Sequence, residues 1–223
     1  MHQNHARRAR TAERLAPLCS VYAPDLPGYG RSAKPERTLS LAELADALAR
    51  WMSAADLERA HLVGNSFGCQ VIAEFALRHP TRVDRLVLQG PTIDPAARSF
   101  RRQLARIARN SAREPKSLGF ISAADYWRAG LSRVRATIRM ALADRIEEKL
   151  PRIAAPALVV RGTRDPLVSH EWAARAAALL PRGELLELAD LPHTINYSAP
   201  DAFVEAITPF LQLHAQAGLR REL

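Results

Sequence analysis

Residues Gly64-Asn65-Ser66-Phe67-Gly68 carry a Gly-x-Ser-x-Gly pattern between two segments of different periodicity. Before it lies a short apolar run through Leu62 and Val63; after it Val71, Ile72, Phe75 and Ala76 recur at helical spacing. This combination demands a buried strand that passes through a tight turn directly into a helix, with a serine at the bend. Glycines suit positions 64 and 68 because side chains there are expected to clash as strand and helix pack closely. Ser66 is then exposed at the carboxyl end of a strand, facing the amino-terminal N–H groups of a helix, where it can attack a carbonyl. The same pattern also occurs by chance in loops, so the rest of the chain decides its meaning.

A chain of 223 residues with 48% hydrophobic content and no long apolar run is of a length for one globular domain with a sizeable core, without a membrane span. The basic start of the chain, with Arg7, Arg8 and Arg10, lacks the apolar stretch of a secretory signal, so a cytoplasmic location is expected. Cys19 and Cys69 have no metal-ligand spacing and are expected to be free thiols, and no metal or cofactor is expected. The net charge of +9 comes almost wholly from arginine. These arginines are spread along the chain rather than interleaved with aromatics, which argues against a nucleic-acid surface. One cluster, Arg98, Arg101, Arg102, Arg106, Arg109 and Arg113, lies largely along one side of a helix, as a solvated face or an anion-attracting one.

Strands alternate with helices along most of the chain. Residues 11–18 have a helical pattern, and Ser20 to Ala23 begins an extended segment that runs into a loop with Pro24, Pro27, Gly28 and Gly30. Gly28-x-Gly30-x-x-Ala33 matches a relaxed dinucleotide fingerprint, but glycines of that motif must open a helix, and Pro27 and Pro35 oppose one. Ser40 to Met52 is an amphipathic helix, with Ser40 and Glu43 as a capping box. Val83 to Gly90 is the next buried strand. From Pro91 to Leu150 arginine-rich helices replace the alternation, which then resumes with a strand at 157–161, a helix at 171–180, a strand at 184–189 and a helix from Asp201 to about His214. The pattern predicts an α/β fold with a mainly parallel sheet covered on both faces.

An acid and a histidine each follow one of the later strands: Asp165 in Gly162-Thr163-Arg164-Asp165, and His193 in Leu191-Pro192-His193. Ligands of open parallel sheets bind at that carboxyl edge. The order Ser66, Asp165, His193 is that of the α/β-hydrolase triad. Asp165 also reads as a turn or cap residue before Pro166, and Asp94 is a rival acid that reads as a cap before Pro95. His61, His79 and His170 are further histidines; His61 precedes the serine strand and His79 ends a helix, out of the triad's order.

These residues together resemble the α/β-hydrolase superfamily, in its branch of esterases and C–C bond hydrolases with a helical cap. Ala23 to Ser32 is similar to the loop after that family's fourth strand, Gly64 to Gly68 to its nucleophile elbow, Arg161 to Asp165 to its acid loop, and Pro192-His193 to its base loop. The resemblance implies core segments at 1–94 and 151–223, with a helical cap at 95–150. It also implies a serine hydrolase acting on a small ester, lactone or diketone, with Ser66 as nucleophile, His193 as base, Asp165 as the orienting acid and the backbone N–H of Phe67 as an oxyanion donor. Tyr126 and Trp127 are the candidate aromatics of a substrate pocket.

The family's first strands, with the His-Gly loop that supplies a second oxyanion donor, have no counterpart before Val21, where Arg7 to Pro17 is similar to the following helix. The expectation is therefore of a chain that starts one element late, with the segment at 21–23 and the serine strand either pairing directly or standing apart. A hydrolase-like protein that binds a small ligand without turnover is the alternative function.

Overall fold

Four parallel strands form the frame of the computed structural model, which describes residues 10–119, 127 and 130–213. They are β1 (Ala60–Asn65), β2 (Val83–Gln89), β3 (Ala157–Gly162) and β4 (Gly183–Leu188), hydrogen-bonded side by side in that order. The longer helices are α1 (Leu41–Ala54), α2 (Phe67–Arg78), α3 (Phe100–Ser111), α4 (Leu131–Ala143), α5 (His170–Leu179) and α6 (Pro200–Leu211). None of the described helices is long and apolar enough to cross a membrane.

The two central strands are apolar on both faces, and the pleat sends alternate residues into two separate cores. Leu86, Leu88, Ala157 and Val159 join the first, closed by Leu48 and Met52 of α1, Ile72 and Phe75 of α2, and Trp172 of α5. Val87, Leu158 and Val160 join the second, closed by Phe203, Ile207 and Leu211 of α6 with Ile195. At β1 this double cover stops. Leu62 is buried in the first core, but Val63 on the opposite face is 42% exposed, and among the described residues β1 has β2 as its only ladder partner.

Residues 20–26, read as the start of an extended segment, form no ladder with β1 or any other strand. Pro24 and Pro27 lack the backbone N–H that pairing needs. Tyr22 instead stands edge-on against Trp51, with ring centroids 5.7 Å apart. The loop that follows has no helix at its glycines; Gly30, at φ +55°, is wrapped by the Asp25 carboxylate, which a Cβ would strike. The capping box of α1 is present in both directions, from Glu43 N–H to Ser40 Oγ at 3.2 Å and from Ser40 N–H to Glu43 Oε2 at 2.8 Å.

Between β2 and β3 the described residues are helical and contribute no strand. Helix α3 is turned with its polar residues inward: Gln103 and Asn110 are buried, while Phe100, Leu104 and Ile107 are exposed. The arginine stripe is divided by this orientation. Arg106 pairs with Asp94 at 2.8 Å and Arg98 with Glu147 at 2.6 Å, whereas Arg101 and Arg109 face solvent.

The uneven cover of the sheet gives a paired test. Val87→Thr, which buries a hydroxyl in the second core, should lower unfolding free energy by about 1–3 kcal/mol. Val63→Thr should change it by less than about 0.5 kcal/mol. Equal losses in denaturant titrations would mean that the outer face of β1 is covered after all.

Candidate active site

The turn between β1 and α2 is as tight as its sequence requires. Ser66 sits at φ 54° and ψ −119°, a conformation that L-residues rarely adopt and that surrounding structure must hold in place. A Cβ on Gly64 would lie 2.8 Å from the carbonyl of Gly68 and from Ile72 Cδ1. The expected clash at Gly68 is not found: a Cβ there meets nothing within 4 Å, because the close approach is that of Gly64 onto the Gly68 backbone. Ser66 precedes the first residue of α2 but makes no side-chain cap, and its Oγ lies 3.4 Å from Thr92 Oγ1. Phe67 is the first helical residue, so its N–H is one of the donors that an α-helix leaves without an internal partner. Cys69, two residues further on, is buried and free, and burial pushes its thiol pKa well above the usual range.

Asp165 and His193 meet at 2.6 Å, carboxylate Oδ2 to imidazole Nδ1, and both are buried. The other carboxylate oxygen accepts the N–H groups of Leu167 and Val168 at 2.7 and 3.2 Å. Asp165 is thus the turn residue that its position suggested and the histidine's partner as well. Since a carboxylate only accepts, the shared proton belongs to Nδ1, and the neutral ring carries its lone pair on Nε2. Nε2 is buried with no hydrogen-bond partner, so Ser66 Oγ does not reach it in this structure. Burial disfavours the imidazolium. The charge and hydrogen bond of Asp165, with the charge of Glu114, outweigh that, and His193 titrates above an ordinary histidine.

The rival residues are engaged elsewhere. Asp94 caps the Ala96 N–H at 2.9 Å and pairs with Arg106. His79 Nε2 meets Asp46 at 3.0 Å, His170 Nδ1 meets Glu187 at 2.9 Å, and His61 is exposed on β1. Trp127 is exposed, and Tyr126 lies outside the described residues. Among the described residues no group of three or more His, Cys, Asp or Glu side chains could hold a metal ion.

Three residues at the end of β2 escaped the sequence reading. Buried Gln89 donates from Nε2 to the His193 carbonyl and accepts at Oε1 from Asn65 Nδ2 at 2.7 Å, while its backbone oxygen accepts the Ser66 N–H at 3.0 Å. Gly90, at φ +58°, lies against the His193 ring: a Cβ there would fall 2.7 Å from Cε1 and 2.9 Å from Nδ1. Thr92 is the neighbour of Ser66 Oγ. The available signal was a glutamine ending an apolar run, followed at once by glycine.

Residues 5–206 match the sequence profile described as the alpha/beta hydrolase family. The chain belongs to that family. Within it, the chain is 32% identical over 213 residues to RutD of Caulobacter sp. (strain K31), a protein named for carbamate hydrolysis; the match covers 82% of this chain and 77% of that protein. A shorter stretch of 83 residues is 39% identical to abhydrolase domain-containing protein abhd-5.2 of Caenorhabditis elegans, covering 35% of this chain and 19% of that protein. Among solved structures, the meta-cleavage product hydrolase CumD from Pseudomonas fluorescens IP01 superposes with a TM-score of 0.72 at 23% identity, over 93% of this chain and 85% of that one. The last comparison speaks for the fold alone.

Gly90→Ala should displace the His193 ring and break its bond to Asp165, because a methyl has no room beside the ring and φ is positive. The downfield proton signal of a short carboxylate–imidazole hydrogen bond should be present in the unmodified protein and absent in the variant, with the circular dichroism unchanged. Retention of that signal would show that the ring has space to spare.

Proposed function

We propose that the chain is a serine hydrolase that cleaves an ester, lactone or related carbonyl compound through an acyl-enzyme. The observation that carries this reading is the buried Asp165–His193 pair at the same sheet edge as a serine held at positive φ. Ser66 Oγ adds to the carbonyl carbon as its proton passes to His193 Nε2, and Asp165 holds the tautomer and stabilises the imidazolium. The Phe67 N–H supports the developing oxyanion. His193 then returns the proton to the leaving group, and a water molecule, activated in the same way, releases the acid. The C–C bond of a diketone stays among the candidate substrates that the family resemblance implies, and the name of RutD adds carbamates. In this reading residues 95–150 serve as the cap over core segments 1–94 and 151–223.

Binding without turnover is the second reading, favoured by the contact of Ser66 Oγ with Thr92 rather than with His193. Catalytic hydrogen bonds often close only when substrate is bound, so this contact is compatible with either reading. A fluorophosphonate should label the protein at Ser66 and leave Ser66→Ala unlabelled; a well-folded protein that resists labelling would favour binding alone.

Turnover should also follow the protonation of His193. The base is active when neutral, and its pKa is raised, so kcat/KM should climb through a midpoint above about 6.5, the ordinary value for histidine, and level off at higher pH. A rate that is flat from about pH 5 to 9 would remove His193 from the base role.

A further inference from the structure

The segment from Arg106 to Ser117 grips both loops that carry the Asp165–His193 pair. Arg106 Nη1 donates to the Leu167 carbonyl at 2.9 Å and Arg113 Nη1 to the Arg164 carbonyl at 2.6 Å, one on each side of Asp165. On the base loop, the Tyr197 hydroxyl donates to Ser117 Oγ at 2.9 Å, and the Thr194 N–H donates to Glu114 Oε1 at 2.7 Å. Asn110 Nδ2 adds a second bond to that oxygen at 3.3 Å.

The second oxygen of Glu114, Oε2, is buried and has no hydrogen-bond partner. An ionised oxygen without a donor is costly, and a cation forming close by would offset that cost. The group that becomes cationic in the reaction is His193, which directly precedes Thr194, whose N–H Glu114 accepts. Among the described residues, its charged neighbours are Asp165, from the loop after β3, and Glu114, from the segment after α3; Gln89 and Gly90, at the end of β2, are neutral.

We propose that Glu114 is a positioning residue for the base: Oε1 fixes the backbone at His193–Thr194, and the carboxylate charge stabilises the imidazolium that forms when His193 takes the serine proton. The inference rests on the hydrolase reading above for its effect on rate, but not for its effect on the resting imidazole. It also assigns the segment after α3 a second task besides covering the site, that of holding acid and base loops at one separation.

Glu114→Gln is the informative variant, because the amide keeps an acceptor for the Thr194 N–H and removes the charge. A tether alone would leave it indistinguishable from the unmodified protein. With the charge engaged, the acidic limb of the kcat/KM profile should move down by about half a unit to one unit, and the plateau of kcat should fall about threefold to tenfold with KM little changed. Glu114→Ala, which loses the tether too, should fall further in kcat, and Gln should rescue part of that loss. The same question can be put without turnover by following the His193 ring through a pH titration by NMR in the full chain. The midpoint should be lower in Glu114→Gln than in the unmodified protein. Equal midpoints would overturn the proposal. If neither protein turns over substrate, the hydrolase reading fails, and the ring titration still decides the role of Glu114.

Discussion

A single buried amide holds together two parts of the site that the chain keeps far apart. Gln89 lies 24 residues after Asn65 and 104 before His193, and it bonds to both. Only a side chain with one donor and one acceptor can serve this position. A leucine would leave the Asn65 amide only its long 3.4 Å bond to the backbone carbonyl of residue 89 and deprive the His193 carbonyl of this donor, and a glutamate would set an acceptor against a carbonyl oxygen. Each buried polar group left unpaired costs about 1–3 kcal/mol, so the turn at Ser66 and the loop at His193 are fixed to one strand end rather than merely near it.

That tie is effective because the sheet is parallel and nearly in register at its carboxyl edge. Asn65 pairs with Gln89, Gln89 with Val160, and Gly162 with Leu188, so the four strands deliver their loops side by side. A slip of one residue in β2 or β3 would exchange the side chains that the two cores receive, so the packing of both cores ties the strands to this register. The serine turn, the Gln89–Gly90 corner, the acid loop and the base loop thus follow β1 to β4 in turn. The helical segment between β2 and β3 hydrogen-bonds to both later loops, through Arg106 and Arg113 to one and through Glu114 and Ser117 to the other.

Much of this was legible before any coordinates. Short apolar runs located the strands, and apolar residues at 3.6-residue spacing located helices. Ser66, Asp165 and His193 were recognisable from strand-end position and order. Less legible were contacts made across the fold. Gln89, Gly90 and Glu114 meet partners remote in sequence; a glutamine and a glycine closing an apolar run were a faint signal for the first two, and nothing local distinguishes Glu114 from an ordinary helix end. Residues 20–26 failed in the opposite direction: Val21 to Ala23 has strand-like composition, yet pairing needs an available partner and backbone donors, and the following prolines provide neither. Gly68 resembled a packing glycine, whereas the contact belongs to Gly64.

The two oxygens of Asp165 have different neighbours, and both neighbours are donors: backbone N–H groups on one side, the imidazole N–H on the other. No neutral amide can satisfy that arrangement. An asparagine of the same shape must turn its amino group toward one donor or the other. Set against the backbone, it breaks the turn; set against the ring, it is accommodated only if the ring moves its own proton to Nε2. A ring whose Nε2 already holds a proton cannot accept another there. The site is therefore selective about chemistry at a point that size and shape alone would leave open, and the choice of tautomer is made by the turn as much as by the histidine.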